Sequence, residues 1–289
     1  MKTLSKSAVL RRAIREGCVV MPGAFNAATA QLVERVGFPA VYVSGAGLAN
    51  ATAGVPDIGL LTLTEVAQLA GYIANAVRIP ALGDADTGFG GPQNVARAVR
   101  EFERAGLAGL HLEDQAFPKR CGHLAGKTLV SPEEMARKIF AAVRARRDKD
   151  FLIVARTDAR TVEDWDSAVR RARSYLDAGA DAIFPEALET AGEFRAFAKK
   201  VRTPLVANLT EFGRGPLLSV RQLASMGYRI VLFPLTAFRV SMRAAEDCLR
   251  EVKRRGTQRP WLNRMQTRQE LYELLGYEPS QQLWENKKG

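Results

Sequence analysis

The chain has 289 residues, 47% hydrophobic and 25% charged, a globular composition that excludes intrinsic disorder and is long enough for one large barrel or two average domains. With 42 Lys and Arg against 31 Asp and Glu the net charge is +11, which welcomes anions without choosing among nucleic acid, acidic lipid and small polycarboxylates. Cys18, Cys121 and Cys248 show no paired spacing, and His111 and His123 are the only histidines; a secreted disulfide framework is excluded, a zinc cluster is disfavoured, and a reducing, cytoplasmic compartment is expected.

The leading MKTLSKSAVLRRAIREG is basic, but no apolar core or cleavage site follows, so it reads as a helix rather than a secretion signal or transit peptide. The uncharged stretch between Arg35 and Asp57 is broken by Pro39, Ser44, Asn50, Pro56 and several glycines and cannot be one lipid-facing helix; no membrane span is expected. Eight apolar, β-branched runs then set the rhythm: CVVMPG from Cys18, AVYVSG from Ala40, IPALGDAD from Ile79, AGLHLED from Ala108, FLIVARTD from Phe151, DAIFPEA from Asp181, PLVANLTEFG from Pro204 and RIVLFPL from Arg229. Continuous apolar strands belong in a parallel sheet buried on both faces.

Helical patterns lie between them. Residues 62–78 place Leu63, Val66, Leu69, Ala70 and Ile73 on one stripe, SPEEMARKIFAAVRARR opens with a capping box at Ser131 and Glu134, and residues 162–178 repeat the pattern. This alternation predicts an α/β fold, a (β/α)8 TIM-type barrel over about 18–255 with a helical extension over about 256–289, all in a single domain. An open doubly wound sheet is the alternative, but no GxGxxG follows the first strand.

In such a barrel chemistry gathers at the C-terminal ends of the strands. Ser44, Asp84, Asp86, Glu113, Asp114, Arg156, Asp158, Glu186, Asn208 and Thr210 all fall there. Each alone reads as a cap or turn residue, but several acids at one mouth repel each other, and a divalent cation resolves that conflict. Asp84 and Asp86 are two apart, so an extended strand would turn both carboxylates to one side. With Glu113, and with Asp57 from a preceding loop, they offer hard oxygen donors suited to Mg²⁺ or Mn²⁺. KRCGH, residues 119–123, sets Cys121 among Lys119, Arg120 and His123, neighbours that stabilise a thiolate. Gly122 and Gly126 give the loop the freedom to close as a lid.

The segments DADTGFGG, GLHLEDQ, KRCGH, ARTDA, FPEA, ANLTEFG, PLTAFR and MQTRQELYE, in consistent order from about Cys18 to Tyr277, resemble the 2-methylisocitrate lyases of the isocitrate lyase and phosphoenolpyruvate mutase superfamily. KRCGH is specific for the lyase branch; ARTDA marks only the superfamily. The resemblance implies Mg²⁺-dependent cleavage of a small hydroxy-tricarboxylate, 2-methylisocitrate, to pyruvate and succinate in propionate catabolism through the methylcitrate cycle. It also implies a homotetramer. Position by position it implies metal binding at Asp84 and Asp86, with Asp57 and Glu113 on the metal's waters, and a backbone cradle at Ser44, Gly45 and Ala46. Arg156 would face the developing oxyanion and Cys121 would be the general acid. Gly122, His123, Glu186, Asn208, Thr210 and Arg239 would surround the succinate-like end, with Arg268 near the site. Tyr42 and a metal-bound hydroxide are both candidates for the base.

Two departures bear on the substrate. Ala46 stands where the cradle often has another glycine, and LAGK follows KRCGH in place of a more polar stretch. A relative acting on dimethylmalate or oxaloacetate is therefore the alternative. A Schiff-base aldolase is discounted because Lys149, Lys199 and Lys200 precede their strands. A nucleic-acid-binding protein is disfavoured because the basic residues are scattered over many helices without interleaved aromatics.

Overall fold

The computed structural model describes residues 4–122 and 124–277. The chain divides into two compact units, up to Phe238 and from Arg239 onward. In the first unit all eight apolar runs are strands: β1 Val19–Ala24, β2 Val41–Val43, β3 Ala81–Asp84, β4 Gly109–Glu113, β5 Leu152–Thr157, β6 Ala182–Pro185, β7 Leu205–Asn208 and β8 Tyr228–Phe233. They pair in parallel and in sequence order, β8 closing on β1. Every residue of β2, β3, β4, β5 and β6 is buried. One face packs on the helices and the other fills the barrel, which explains why these strands are not alternately polar.

The interior is filled by Met21, Tyr42, Leu82, Leu152, Val154, Phe184, Val206, Ile230 and Leu232. The same cluster takes in Leu10 and Ile14 of the helix Lys6–Glu16, which plugs the barrel where its strands begin. That helix is fastened by Lys6, donating to the carbonyls of Ala74 and Val77 at 2.6 Å each, and by Arg11, 2.8 Å from Asp181. The basic leader is thus a structural helix. With one end plugged, the other is left for chemistry.

Several boundaries differ from the sequence expectation for local reasons. The helix expected over 62–78 runs Leu63–Asn75, its start fixed by a full capping box between Thr62 and Glu65. At Pro132–Ala145 only the serine half of the expected box forms: Ser131 Oγ accepts from the Glu134 N–H at 3.1 Å. Residues 162–178 split into a turn, Ala159–Val162, and the helix Trp165–Asp177, because Asp164 caps Ser167 at 2.6 Å. β3 stops at Asp84, and Asp86 sits in a turn with φ +46°. The two carboxylates are therefore brought together by a turn, in a conformation that Asp tolerates better than most residues, and not by strand alternation.

In the second unit, the helix Thr236–Arg255, most of which lies there, has no buried residue. A 3₁₀ turn follows at Arg259–Arg264, and Thr267 and Glu270 form a capping box for the helix Arg268–Leu275. Among the described residues no helix is long and apolar enough to cross a membrane.

Gly23 in β1 faces the turn after β8, and a Cβ there would lie 2.6 Å from the Pro234 carbonyl carbon. Because backbone is what it meets, Gly23→Ala is expected to cost about 1–3 kcal/mol, read as a lower midpoint in urea unfolding.

Candidate active site

Strand register sets the site. In parallel strands, partnered residues point the same way, and β4 and β5 pair Glu113 with Arg156 while β3 and β4 pair Asp84 with His111. Arg156 thereby projects among acids: its Nη1 lies 3.2 Å from Glu113, its Nε 2.9 Å from Asp158 and 3.8 Å from Glu186, and its guanidinium stacks 5.3 Å from the Phe184 ring. A second bond, Nη2 to Asp158 at 3.2 Å, makes the Asp158 contact a fork. Asp158 is itself fully buried.

On the other side Asp84 accepts from the Tyr42 hydroxyl and the Gly45 N–H, both at 3.2 Å, and from the Asp86 N–H at 3.0 Å. Tyr42 also meets His111 Nε2 at 2.8 Å. Burial pushes the His111 pKa down, against the pull of Asp84. Burial, reinforced by Asp84, raises the Tyr42 phenol well above its usual range and keeps its proton on. Burial opposes the charge on Asp84, but His111, Lys119 and Arg156 around it hold its carboxyl below the usual range.

Lys119, expected beside the thiol, is committed elsewhere. Its buried ammonium bonds Asp57 and lies 2.7 Å from Asp86. Arg120 donates to the Ala125 carbonyl at 3.3 Å. Burial and the charges of Asp84 and Asp57 raise Asp86 to about 6 in spite of Lys119. Burial likewise raises Glu113 well above the carboxylate range, against the pull of Arg156 and Lys119.

The acids fit a divalent cation on two counts. Glu113 Oε1 is buried with no hydrogen-bond partner, and the donors are all hard oxygens. Among the described residues no three of them converge tightly enough to hold an ion as they stand, and the cation between Asp57 and Asp86 is the lysine ammonium.

A single cavity is lined by Tyr42, Ser44, Ala46, Asp57, Asp84, Cys121, Gly122, Arg156, Glu186, Asn208 and Thr210. Eleven of the expected site residues thus share one space. Gly45, Asp86 and Glu113 adjoin it through the contacts above. Ser44 Oγ caps the short helix Gly45–Leu48, accepting from Gly47 N–H at 3.1 Å. Glu186 accepts from Asn208 Nδ2 at 3.3 Å. The cysteine loop rests directly on the barrel: a Cβ on Gly122 would stand 2.6 Å from Glu186 Cγ, so only glycine seats there. His123 lies outside the described residues. Arg239 and Arg268 belong to the second unit, where both are exposed.

Three contributors escape a reading by strand ends. His111 carried a usable signal, two residues before Glu113 on the same strand and hence on the same face. Lys127 and the buried amide of Gln115 carried none, since a loop side chain's destination is a tertiary matter. Removing the central cation would take a positive partner from three buried acids, Glu113, Asp158 and Glu186. Arg156→Met is accordingly expected to lose about 3–5 kcal/mol in chemical denaturation, and Arg156→Lys less.

Residues 10–253 match the family described as phosphoenolpyruvate phosphomutase. The chain is 54% identical over 270 residues to the 2-methylisocitrate lyase of Aeropyrum pernix, covering 93% of this chain and 87% of that protein. Among solved structures it is similar to 2,3-dimethylmalate lyase, described as a PEP mutase/isocitrate lyase superfamily member (TM-score 0.90, 36% identity, 95% of this chain and 93% of that one). It is also similar to phosphonopyruvate hydrolase in complex with oxalate and Mg²⁺ (TM-score 0.86, 33% identity, 94% and 95%). The barrel, its acidic mouth and these similarities agree: the chain belongs to the phosphoenolpyruvate mutase and isocitrate lyase superfamily, and it is a lyase.

Proposed function

We propose that the protein cleaves 2-methylisocitrate to pyruvate and succinate, the carbon–carbon bond-breaking step of propionate catabolism through the methylcitrate cycle. The observation that carries this reading is Cys121, brought on its loop to the same cavity as Arg156, Glu186 and Asp84. Mutases have no use for a proton donor over the mouth; a lyase does, because a carbanion must be quenched. The identity to 2-methylisocitrate lyases supports the same substrate.

A divalent cation, Mg²⁺ or Mn²⁺, held by Asp84 and Asp86 with Asp57 and Glu113 on its waters, would acidify the substrate hydroxyl and offset charge on the pyruvate-like fragment; the Mg²⁺ bound to phosphonopyruvate hydrolase supports it. Arg156 holds a fixed positive charge where an oxyanion develops, an effect of about 3 kcal/mol for one preorganised donor. Asp158 and Phe184 keep that guanidinium from turning away. Cys121 gives its proton to the carbanion of the succinate-like fragment. Glu186, Asn208, Thr210 and Gly122 form the surroundings of that fragment, and Ser44, Gly45 and Ala46 the cradle for the other. Tyr42, keeping its proton against Asp84, orients that carboxylate; a bound cation would also supply a base for the substrate hydroxyl.

We place the enzyme in the cytoplasm as a single-domain homotetramer, without nucleic-acid or membrane partners. The exposed apolar residues Val240, Met242 and Leu249 on the helix Thr236–Arg255 support assembly through that helix. A second reading, action on 2,3-dimethylmalate or oxaloacetate, is favoured by the similarity to 2,3-dimethylmalate lyase and by the less polar Leu124 and Ala125 after the cysteine loop.

A side-by-side substrate panel decides between the two, with 2-methylisocitrate expected to give the highest kcat/KM. EDTA is expected to abolish pyruvate release and added Mg²⁺ to restore it. Cys121→Ser should lose about 10²–10⁴-fold in kcat with an unchanged melting temperature. Full turnover in that variant would remove the thiol from the reaction.

A further inference from the structure

The loop between β4 and the helix Pro132–Ala145 does not simply lie over the mouth; it is gripped on both sides of Cys121. Its stem is closed by an antiparallel bridge between Gln115 and Leu129, by Ala116 N–H to Thr128 O at 2.8 Å and by Val130 N–H to Asp114 O at 2.9 Å. Within it, the buried Gln115 amide takes the peptide of Arg120 from both ends: Nε2 donates to the Arg120 carbonyl at 2.8 Å, and Oε1 accepts from its N–H at 2.9 Å. On the other side Lys127 Nζ donates to the carbonyl of Gly122. The residues immediately before and after the thiol are therefore both held by side chains from elsewhere in the loop.

Lys127 is an unusual side chain for this duty. Its ammonium end is 1% exposed, and a buried ammonium persists only where it is paired. The partner is Asp158 Oδ1 at 2.7 Å, on a carboxylate with no exposure at all. Asp158 in turn forks the guanidinium of Arg156 through both of its oxygens. A chain of contacts thus runs from the Gly122 carbonyl through Lys127 and Asp158 to Arg156.

We infer that Lys127 is a positioning residue for Cys121. Through Asp158 it references the thiol's loop to the same carboxylate that orients Arg156, so that proton donor and oxyanion charge share one anchor. This inference rests on the lyase reading for its kinetic consequence but not for its geometry. The second bond of that ammonium falls on the peptide next to the thiol, which ties the position of Gly122 to Asp158. Without that bond the loop would retain its stem, the Gln115 grip and the Lys119 pair with Asp57 and Asp86, but the segment just after the thiol would lose its tie to Asp158. Misplacement of a reacting group by about 1 Å costs about 10²-fold in rate.

Lys127→Met tests this, since it keeps the side chain's length and removes the charge and the donors. The expected result is a fall in kcat on 2-methylisocitrate of about 10²-fold with KM changed less than about threefold. Independently, iodoacetamide should label Cys121 about tenfold faster in the variant, followed by peptide mass spectrometry so that Cys18 and Cys248 are counted separately, as expected for a segment whose local opening has become easier. The circular dichroism spectrum should be unchanged. Gln115→Met, which releases the other grip, is expected to shift both readouts in the same direction and serves if Lys127→Met does not fold. Unchanged labelling of Cys121 in a folded variant would overturn the inference, as would a kcat within twofold of the parent. If the parent protein fails to cleave 2-methylisocitrate, the lyase reading falls, while the labelling experiment still decides the positioning claim.

Discussion

Charge balance at the open end of the barrel governs this molecule. Parallel strands deliver their last residues to one ring, and here that ring and its loops carry Asp57, Asp84, Asp86, Glu113, Asp114, Asp158 and Glu186. Against these stand Arg156, Lys119, Lys127 and Arg171, each within ion-pair reach of at least one of them. Buried carboxylates are pushed upward, and packed closely they raise each other further: burial and neighbouring acids raise Glu113, Asp86 and Asp114. The surplus of acid gives the mouth the hard oxygen donors that suit a divalent ion. The lysine now between Asp57 and Asp86 shows that the cluster accepts positive charge even from within its own chain.

The same balance ties chemistry to folding. Behind the mouth, Asp114 accepts from Thr157 Oγ1 and Tyr175 OH at 2.7 Å each and from the Asp158 N–H at 3.0 Å, while Arg171 approaches it at 3.5 Å and donates to the Val130 carbonyl at 2.9 Å. The end of β4, the end of β5, the helix Trp165–Asp177 and the base of the cysteine loop are joined by one buried polar network. Buried polar groups that are fully partnered fix a unique arrangement, whereas partly satisfied ones are costly. Around the mouth, by contrast, Glu113 Oε1, His111 Nδ1 and Asn208 Oδ1 are buried without a hydrogen-bond partner.

Much of this was legible beforehand. All eight strands could be read because burial on both faces makes parallel strands continuously apolar, a signal that needs no partner to be seen. The residues at their ends could be read because the fold sends them to one place, and Cys121 because its neighbours mark a reactive thiol. What stayed hidden depends on where long side chains travel. Lys119 reads as a neighbour of Cys121 in the chain but serves Asp57 and Asp86 in space. Lys127, in a stretch that reads only as less polar than that of its relatives, supplies a buried contact that no periodicity encodes. Asp86 reaches the mouth by a left-handed turn instead of an extended strand, because local backbone geometry answers to the glycine-rich stretch that follows it.

The plugged base of the barrel has a kinetic corollary. Leu10 and Ile14 stopper the end where the strands begin, so among the described residues the cavity is reached from the end where the strands finish. A substrate broken in two must send both halves out by the path along which it entered, past the segment that carries the thiol. Whichever fragment lies beneath that segment cannot depart before it lifts. Under the proposed role of Cys121, the element that would supply the last proton also lies at the exit.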